Sequence, residues 1–427
     1  MNSRLKYIVV TLSTFVVIVL LAGARQSSGS ASSDDQYKHL GVFTEVLSRI
    51  KSDYVEEPDL KSVTLGALNG MLESVDPYAS YLSADQYKQY QKNLGSKRPG
   101  VGLVLSKRLG YVGVVDAIPG SPADKAGLNT GDIIESINNV STRDMPLVYA
   151  EMLLEGEAGS TVDIGVMKFS NPEGTKVTIT RAAVQEPPVG SKLMENQIGL
   201  LTVPSLEGAR MGEVKSRLED LQKQGAKKII LDLRNNATAT PEEGMKLASL
   251  FLDKGLITYT QGQKSPRQNF DAAPAGQVSK LPLVVMTNRG NAGGAEIAAA
   301  ALLDNKRAEV VGERTFGKAG VRKAITMEDG SAVILSVAKY YSPSGKSIQD
   351  NGVTPSVSVI EAQPQIDNDD DSAEPEPARP AKTEDIMLKK AIEVAAKGAS
   401  QVAASGTSNA PVGGETMTPL NIPKPVK

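Results

Sequence analysis

Residues 281–323 read LPLVVMTNRGNAGGAEIAAAALLDNKRAEVVGERTFGKAGVRK, and this stretch decides the fold. Its first seven residues form an apolar run with β-branched residues at the centre, which predicts a strand buried on both faces. A turn is predicted over 288–294 and an alanine-rich helix over 295–303. A second strand is predicted over 308–311, before a glycine-containing loop. A strand, sharp turn and buried helix place the turn beside unpaired helix N–H groups that can hold an oxyanion.

The same stretch resembles the catalytic core of the carboxyl-terminal processing peptidases (tail-specific proteases), in which a lysine activates a serine nucleophile. Their pattern is Asn-x-Gly-Ser-Ala-Ser-Ala-Ser-Glu-Ile, followed by Gly-Glu-x-Thr-Phe-Gly-Lys-Gly-x-Val-Gln. The matching residues here are Asn288, Gly290, Ala292, Glu296, Ile297, Gly312, Glu313, Thr315, Phe316, Gly317, Lys318 and Val321. The resemblance implies an α/β fold with an N-terminal helical segment, a β-rich PDZ domain and a strand-turn-helix protease-like core.

The residues that would carry catalysis in that family are missing. The family's nucleophilic serine falls on Gly293, 25 residues before Lys318, and the family's glutamine falls on Arg322. Lys318 therefore corresponds to a vestigial general base. The family's oxyanion loop, Arg-x-Asn-Pro-Gly-Gly, reads Arg-Asn-Asn-Ala-Thr-Ala over residues 234–239, where side chains restrict the approach of backbone N–H groups. These departures predict a degenerate protease.

Other interpretations of these positions remain open. Lys318 is also explained as a leftover loop lysine, and residues 291–294 as a helix N-cap turn with Asn291 as the cap. If residues 318–322 form a strand, Arg322 points to the same side as Lys318. The hydroxyl groups that could replace the missing nucleophile are those of Thr238, Thr287 and Thr315.

Residues 96–184 resemble a PDZ domain, in which a loop of successive backbone N–H groups holds a peptide's terminal carboxylate. Glycine is needed there because several amides must converge on one anion. The predicted peptide-binding residues are Gly100, Val101, Gly102 and Leu103. Glycine-containing segments at 120–123, 126–128 and 131–134 follow with PDZ spacing, although a Gly-x-Gly pair alone indicates only a turn. A bound peptide would add a strand beside residues 103–105.

Residues 76–82, DPYASYL, resemble a family element that reads Asp-Pro-His-Ser-x-Tyr-Leu. Tyr78 replaces the family's histidine. A helix-capping turn explains the same residues without any functional role, because Asp before Pro commonly begins turns.

Composition excludes several classes of function. The net charge of −2 gives no basic footprint, so no nucleic-acid partner is predicted. There is no cysteine, and His39 is the single histidine, which argues against thiolate sites, a Ser-His-Asp triad and a histidine metal site. No metal and no cofactor are predicted.

The predicted organisation follows changes in composition. A basic start and an apolar run from Tyr7 to Leu21 are typical of a signal peptide or an uncleaved signal anchor. The predicted segments are 1–24 signal, 25–35 linker, 36–95 helical region, 96–184 PDZ domain, 185–360 α/β core, 361–383 acidic linker, 384–400 helix and 401–427 disordered tail.

The sequence therefore predicts an exported protein in the periplasm or on the extracytoplasmic face of the membrane, which it touches only through its N-terminal segment. The leading hypothesis is a non-cleaving pseudoprotease that binds protein C-termini or an active partner protease. The alternatives are a serine-type endopeptidase with a non-standard nucleophile and a structural subunit that assembles with an active paralogue.

Overall fold

The computed structural model describes residues 31–108, 110–143, 145–168, 171–360 and 384–397, with residues 31–39, 108 and 171–173 as backbone only. Contacts divide the chain into two units, residues 1–68 and 69–427. The predicted signal segment, acidic linker and C-terminal tail lie outside the described residues. None of the helices within the described ranges is long and apolar enough to cross a bilayer.

The N-terminal part is helical. Its elements are α1 (Ala31–Asp53), α2 (Leu60–Val75), β1 (Ser80–Leu82) and α3 (Ala84–Asn93). Helix α1 begins inside the segment predicted as a linker. Ser83 and Gln86 form a reciprocal capping box that starts α3.

An antiparallel sheet forms the β-rich region. Its elements are β2 (Leu103–Arg108), β3 (Tyr111–Ala117), α4 (Pro122–Lys125), β4 (Ile133–Ile137), β5 (Val140–Ser141), α5 (Leu147–Leu154), β6 (Thr161–Lys168) and β7 (Asn171–Thr180). The strand order is β2-β3-β4-β6-β7, with β5 paired to β4, so β2 lies at an edge. Apolar residues of α5 pack with those of the strands in one core.

The α/β core follows. Its elements are β8 (Gly190–Leu193), β9 (Ile198–Thr202), α6 (Arg210–Lys223), β10 (Lys228–Asp232), α7 (Pro241–Ser249), β11 (Leu256–Gln261), β12 (Gln268–Asp271), β13 (Leu283–Thr287), α8 (Gly294–Asp304), β14 (Ala308–Gly312), β15 (Gly320–Thr326), β16 (Ala332–Tyr341), β17 (Val357–Ser358) and α9 (Ile386–Lys397). The predicted strand-turn-helix of residues 281–303 is present as β13 and α8.

The central sheet has the order β17-β14-β13-β10-β9-β8 and is parallel except for β8. All five residues of β13 are buried, because helices α6, α7 and α8 cover one face and α9 covers the other. The turn after β13 therefore opens at the carboxyl ends of the parallel strands.

A second sheet has the order β1-β16-β11-β12, with β15 also paired to β16. The hairpin predicted around residues 322–338 is present as β15 and β16. The face of β16 that carries Val333, Leu335 and Val337 is only partly buried, and the alternate residues from Ala332 to Tyr340 face the core. Strand β1 pairs with β16 and so joins the 76–82 segment to the core.

Candidate active site and peptide-binding groove

Gly293 lies between β13 and α8 with φ 65° and ψ −126°. Glycine adopts this conformation readily, whereas residues with a Cβ atom rarely do. A Cβ atom added here would lie 2.8 Å from the carbonyl oxygen of Ala239, closer than real Cβ atoms approach their neighbours. The position that corresponds to the family's nucleophile therefore accommodates glycine with little room for anything larger.

The predicted cap at Asn291 is wrong, because α8 begins at Gly294 and Gly293 is its N-cap residue. The Asn291 side chain is buried and acts within the turn instead. Its Oδ1 accepts a hydrogen bond from the Asn288 amide (2.7 Å), and its Nδ2 donates to the Leu233 carbonyl. Asn291 thus ties the turn to the end of β10.

Glu296, the third residue of α8, is fully buried and connects the turn to the lysine loop. Its Oε1 accepts hydrogen bonds from the Gly317 amide (2.7 Å) and the Thr315 hydroxyl (2.5 Å). Its Oε2 accepts from the amides of Gly293 (3.0 Å) and Lys318 (2.9 Å). Because four donors converge on one carboxyl group, Glu296 fixes the two segments relative to each other.

Burial raises the pKa of Glu296 to about 7, although its four hydrogen bonds act in the opposite direction. The sequence pattern did not predict this role. The signal present in the sequence was a glutamate at the third helical position, where its side chain can bond back to the N-cap amide.

Lys318 is partly buried and extends from the core toward the β-rich region. Its Nζ donates a hydrogen bond to the Leu105 carbonyl (3.2 Å) and lies 5.9 Å from the ring centroid of Tyr78. Burial lowers the pKa of Lys318 below its ordinary value; Glu151 opposes this shift and Arg322 adds to it. Lys318 lies in a loop, as predicted, and this hydrogen bond holds it against the β-rich region.

Gly293, Lys318 and Arg322 line one cavity of about 240 Å³. The strand-based reason for grouping Lys318 with Arg322 does not hold, since β15 begins only at Gly320 and its pairing is irregular between Val321 and Arg322. The bend in the chain brings the two cations to the same cavity.

Tyr78 supplies an aromatic wall to this cavity. Its ring is buried, and burial raises the pKa of its hydroxyl above the usual range. Asp76 holds the segment in place by accepting hydrogen bonds from the Tyr78 amide (2.9 Å) and, through its other oxygen, from the Ser336 amide (3.1 Å). The 76–82 segment is thus part of the site as well as a turn.

The 234–239 loop packs against the turn that contains Gly293. The Ala239 carbonyl accepts a hydrogen bond from the Gly294 amide (2.8 Å), which places a carbonyl oxygen next to Gly293. Within the described ranges, the amides of Ala237, Thr238 and Ala239 donate no hydrogen bond, so the loop retains donor groups. A carbonyl beside the reacting centre would oppose a developing oxyanion, whereas free amides would stabilise it.

The same loop is anchored to the C-terminal helix. Arg234 donates to Asp232 through Nε (2.9 Å) and Nη2 (2.7 Å), and to Asp385 through Nη1 (3.0 Å) and Nη2 (2.8 Å). These contacts raise the pKa of Arg234 even though burial lowers it. Asp385 precedes α9, so the loop and that helix share one charged anchor.

All three candidate threonine hydroxyls have hydrogen-bond partners. Thr287 donates to the Glu313 carbonyl (2.9 Å), and Thr315 donates to Glu296. Thr238 lines the cavity, and its hydroxyl donates to Glu186 Oε2 (3.4 Å) and lies 3.4 Å from the Ser205 hydroxyl. Ser336, which the sequence did not single out, also lines it, and its Oγ has no hydrogen-bond partner within the described residues.

The predicted carboxylate-binding loop lines a second cavity of about 610 Å³. The Gly102 carbonyl accepts a hydrogen bond from the Ile118 amide (2.9 Å), and the Val101 carbonyl accepts one from the Ala123 amide (2.9 Å). In the described part of the chain, the amides of Val101 and Gly102 donate no hydrogen bond. The loop therefore has fixed carbonyls and two free donors, as anion binding requires.

Gly102 cannot be replaced without moving this loop. Its φ is 80°, and an added Cβ atom would lie 2.3 Å from the Cβ of Ser121. The four predicted binding residues, Gly100, Val101, Gly102 and Leu103, all line the cavity. Among the described residues, there is no group of three or more His, Asp or Glu side chains placed to hold a metal ion.

Comparisons with known proteins agree with this architecture. Residues 197–359 match peptidase family S41, and residues 113–167 match the PDZ domain. The carboxy-terminal processing protease CtpA of Bacillus subtilis is 31% identical over 363 residues, which cover 84% of this chain and 78% of the relative. The carboxyl-terminal-processing protease of a Picosynechococcus species is 34% identical over 346 residues, which cover 79% of this chain and 81% of the relative.

Among solved structures, a photosystem II D1 C-terminal processing protease superimposes with a TM-score of 0.63 at 27% identity, over 74% of this chain and 92% of that one. The chain therefore belongs to peptidase family S41, the carboxyl-terminal processing peptidases, which are serine proteases, and it carries a PDZ domain. The resemblance first noted in residues 281–323 is confirmed.

Proposed function

We propose that this chain is a non-cleaving member of its family that binds protein C-termini through the PDZ domain, or binds an active partner protease. The observation that carries the proposal is Gly293, which offers no nucleophilic atom at the position where the family pattern has serine. A Cβ atom added at position 293 would lie 2.8 Å from the Ala239 carbonyl oxygen, so the site leaves little room for a nucleophilic side chain, which also supports the proposal.

The binding half of the proposal is supported by the loop before β2. The free amides of Val101 and Gly102 line the cavity beside Arg98, a partly buried cation. Two converging N–H groups and a guanidinium are the groups that recognise a terminal carboxylate in a β-augmentation site. An apolar final side chain would lie among Val101, Leu103 and Leu154.

The test is binding of a ten-residue peptide with a C-terminal valine to the full chain, measured by fluorescence anisotropy. We expect the free carboxylate to bind at least about tenfold more tightly than the same peptide with a C-terminal amide, because charged hydrogen bonds contribute about 1.5–3 kcal/mol. Equal affinities for the two peptides would contradict the binding half.

We propose export for a separate reason. Arg4 and Lys6 precede the apolar run from Tyr7 to Leu21, an arrangement that directs the following chain across a membrane. The protein would then act in the periplasm or on the extracytoplasmic face, in contact with the membrane only through this segment. Residues 1–30 fused to alkaline phosphatase should give activity outside the cytoplasm, and a reporter that stays inside would contradict export.

A second candidate function is proteolysis through a replacement hydroxyl. Ser336 favours it, because its unpartnered Oγ and Lys318 line the same cavity. A fluorophosphonate probe would then label the chain, and Ser336→Ala or Thr238→Ala would abolish labelling. An unlabelled chain argues for the non-cleaving function.

The third candidate is a structural subunit bound to an active paralogue. Mixing the two purified chains separates it from the first function: a stable hetero-oligomer that survives addition of a competing peptide would favour a subunit role. An assembly that the peptide dissolves would favour recognition through the PDZ domain.

A further inference from the structure

The open edge of β2 presents the Leu105 backbone to a ligand. Leu105 is paired with Val114 of β3, yet Val114 exchanges hydrogen bonds on its other side: its amide donates to the Asp132 carbonyl (2.8 Å), and its carbonyl accepts from the Gly131 amide (2.9 Å). In an antiparallel ladder this makes Leu105 part of a non-hydrogen-bonded pair. The amide and carbonyl of Leu105 therefore point away from β3, to the side where a peptide strand would add.

A basic side chain already occupies that edge. Lys318 reaches across from the core, and its Nζ donates to the Leu105 carbonyl (3.2 Å). Glu151, on α5, lines the cavity together with Leu105 and acts electrostatically on Lys318. Glu151 is partly buried and forms no ion pair with another described residue. The Leu105 carbonyl thus has a lysine of the chain itself as its partner, and the Glu151 carboxylate lines the same groove.

Strand geometry fixes which ligand residue would meet this carboxylate. A peptide held by its carboxylate at the loop before β2 runs antiparallel to β2, so its last residue lies beside Leu103. The residue two positions earlier then lies beside Leu105, and directly opposite residues point to the same face of a sheet. The Leu105 side chain is buried against the core that includes α5, so this ligand side chain also points toward α5 and Glu151.

We infer that the groove selects C-terminal peptides with lysine or arginine two residues before an apolar last residue, and that Glu151 forms an ion pair with this basic side chain. The inference depends on the proposed binding of C-termini and specifies the partner. The ligand's backbone amide takes over the bond that Lys318 now makes to the Leu105 carbonyl, and the ligand's cation takes the place of the Lys318 amine near Glu151.

The test compares three ten-residue peptides with free carboxylates that end in Lys-Ala-Val, Gln-Ala-Val and Glu-Ala-Val. Binding to the full chain is measured by anisotropy at low and high salt. We expect the lysine peptide to bind about five- to tenfold more tightly than the glutamate peptide, with the difference shrinking as salt rises. Glu151→Gln should abolish the difference, while Glu157→Gln, an exposed residue beyond the cavity lining, should preserve it.

Lys318→Met provides a second measurement on a variant of similar shape. It should tighten binding of all three peptides about threefold or more, because the Leu105 carbonyl no longer has an internal partner. If the three peptides bind equally but still require a free carboxylate, the inference is wrong and the proposed function stands. If none of them binds in a carboxylate-dependent way, both fail.

Discussion

The carbonyl oxygen of Ala239 lies 2.8 Å from the point that a Cβ atom on Gly293 would occupy. The same carbonyl accepts a hydrogen bond from the Gly294 amide, so the 234–239 loop is hydrogen-bonded to the first residue of α8. This loop has closed against the backbone of the turn. The site is therefore adapted to glycine at position 293, and simple restoration of a serine would not restore a working nucleophile.

Gly293→Ser should destabilise the protein and give no peptidase activity. A side chain at φ 65° is strained, and the contact with Ala239 adds to that strain, so we expect a loss of about 2–4 kcal/mol in the free energy of unfolding. Urea denaturation measures the loss, and casein digestion measures activity.

Gly208→Ser is the matched control, because Gly208 has nearly the same φ (66°) and open space around its added Cβ. It should cost only about 1–2 kcal/mol, the backbone penalty alone. Equal losses for the two variants would show that Ala239 does not restrict position 293.

Stability should fall as pH rises through neutrality because of Glu296. Its pKa is raised from 4.5 to about 7, so the folded state holds the proton more tightly than the unfolded state. This contribution to the free energy of unfolding is complete below pH 4.5 and is lost as pH rises to about 7 and beyond. Its size is about 3 kcal/mol at most. Chemical denaturation from pH 4.5 to 8 measures this dependence.

Glu296→Gln provides the comparison for that experiment. Burial also raises the pKa of Asp116, to about 8, so Asp116 adds a dependence of the same sign that persists in the variant. The difference between the two proteins isolates Glu296. Parallel stability–pH curves for the wild type and the variant would exclude Glu296 as the source.

Local sequence pattern accounted for the elements and much of the site. The apolar run before residue 288, the alanine-rich segment after it and the alternation in residues 332–338 predicted β13, α8 and β16, because each buries a regular face. The glycine at 102 was recognisable because a carboxylate loop needs that conformation.

The rest depends on contacts between distant segments, which no local pattern encodes. Lys318 and Leu105 are 213 residues apart, and Arg234 and Asp385 are 151 apart. Ser336 reaches the cavity only because β16 passes beside the 76–82 segment. Glu296 was visible as a family match, but its four donors come from the turn and from the loop that follows β14.

Gly102→Ala should weaken peptide binding about tenfold or more. Its added Cβ would lie 2.3 Å from Ser121, so the loop must shift and the amides of Val101 and Gly102 no longer converge. Anisotropy with a free-carboxylate peptide measures the change. Gly120→Ala is the control, with φ 79° in the same domain and no neighbour within contact distance. A comparable loss in both variants would mean that backbone strain, and not loop geometry, limits binding.

Asp385→Ala should loosen α9 from the central sheet. Asp385 accepts the Leu388 amide at the start of the helix (2.8 Å) and pairs with Arg234, so its removal should cost about 1–2 kcal/mol locally. Hydrogen exchange in residues 386–397 should accelerate severalfold. Glu384→Ala, which removes only an exposed pair with Lys389, should leave exchange unchanged, and unaltered protection in both variants would contradict the anchoring role.

The most direct measurement is incubation of the full chain with a disordered protein substrate and a fluorophosphonate probe, followed by intact mass spectrometry. The wild type and Lys318→Ala are compared side by side, with an active family member as positive control. We predict no fragments and no covalent adduct with either protein. Fragments or an adduct that appear with the wild type and disappear with Lys318→Ala would contradict the non-cleaving function.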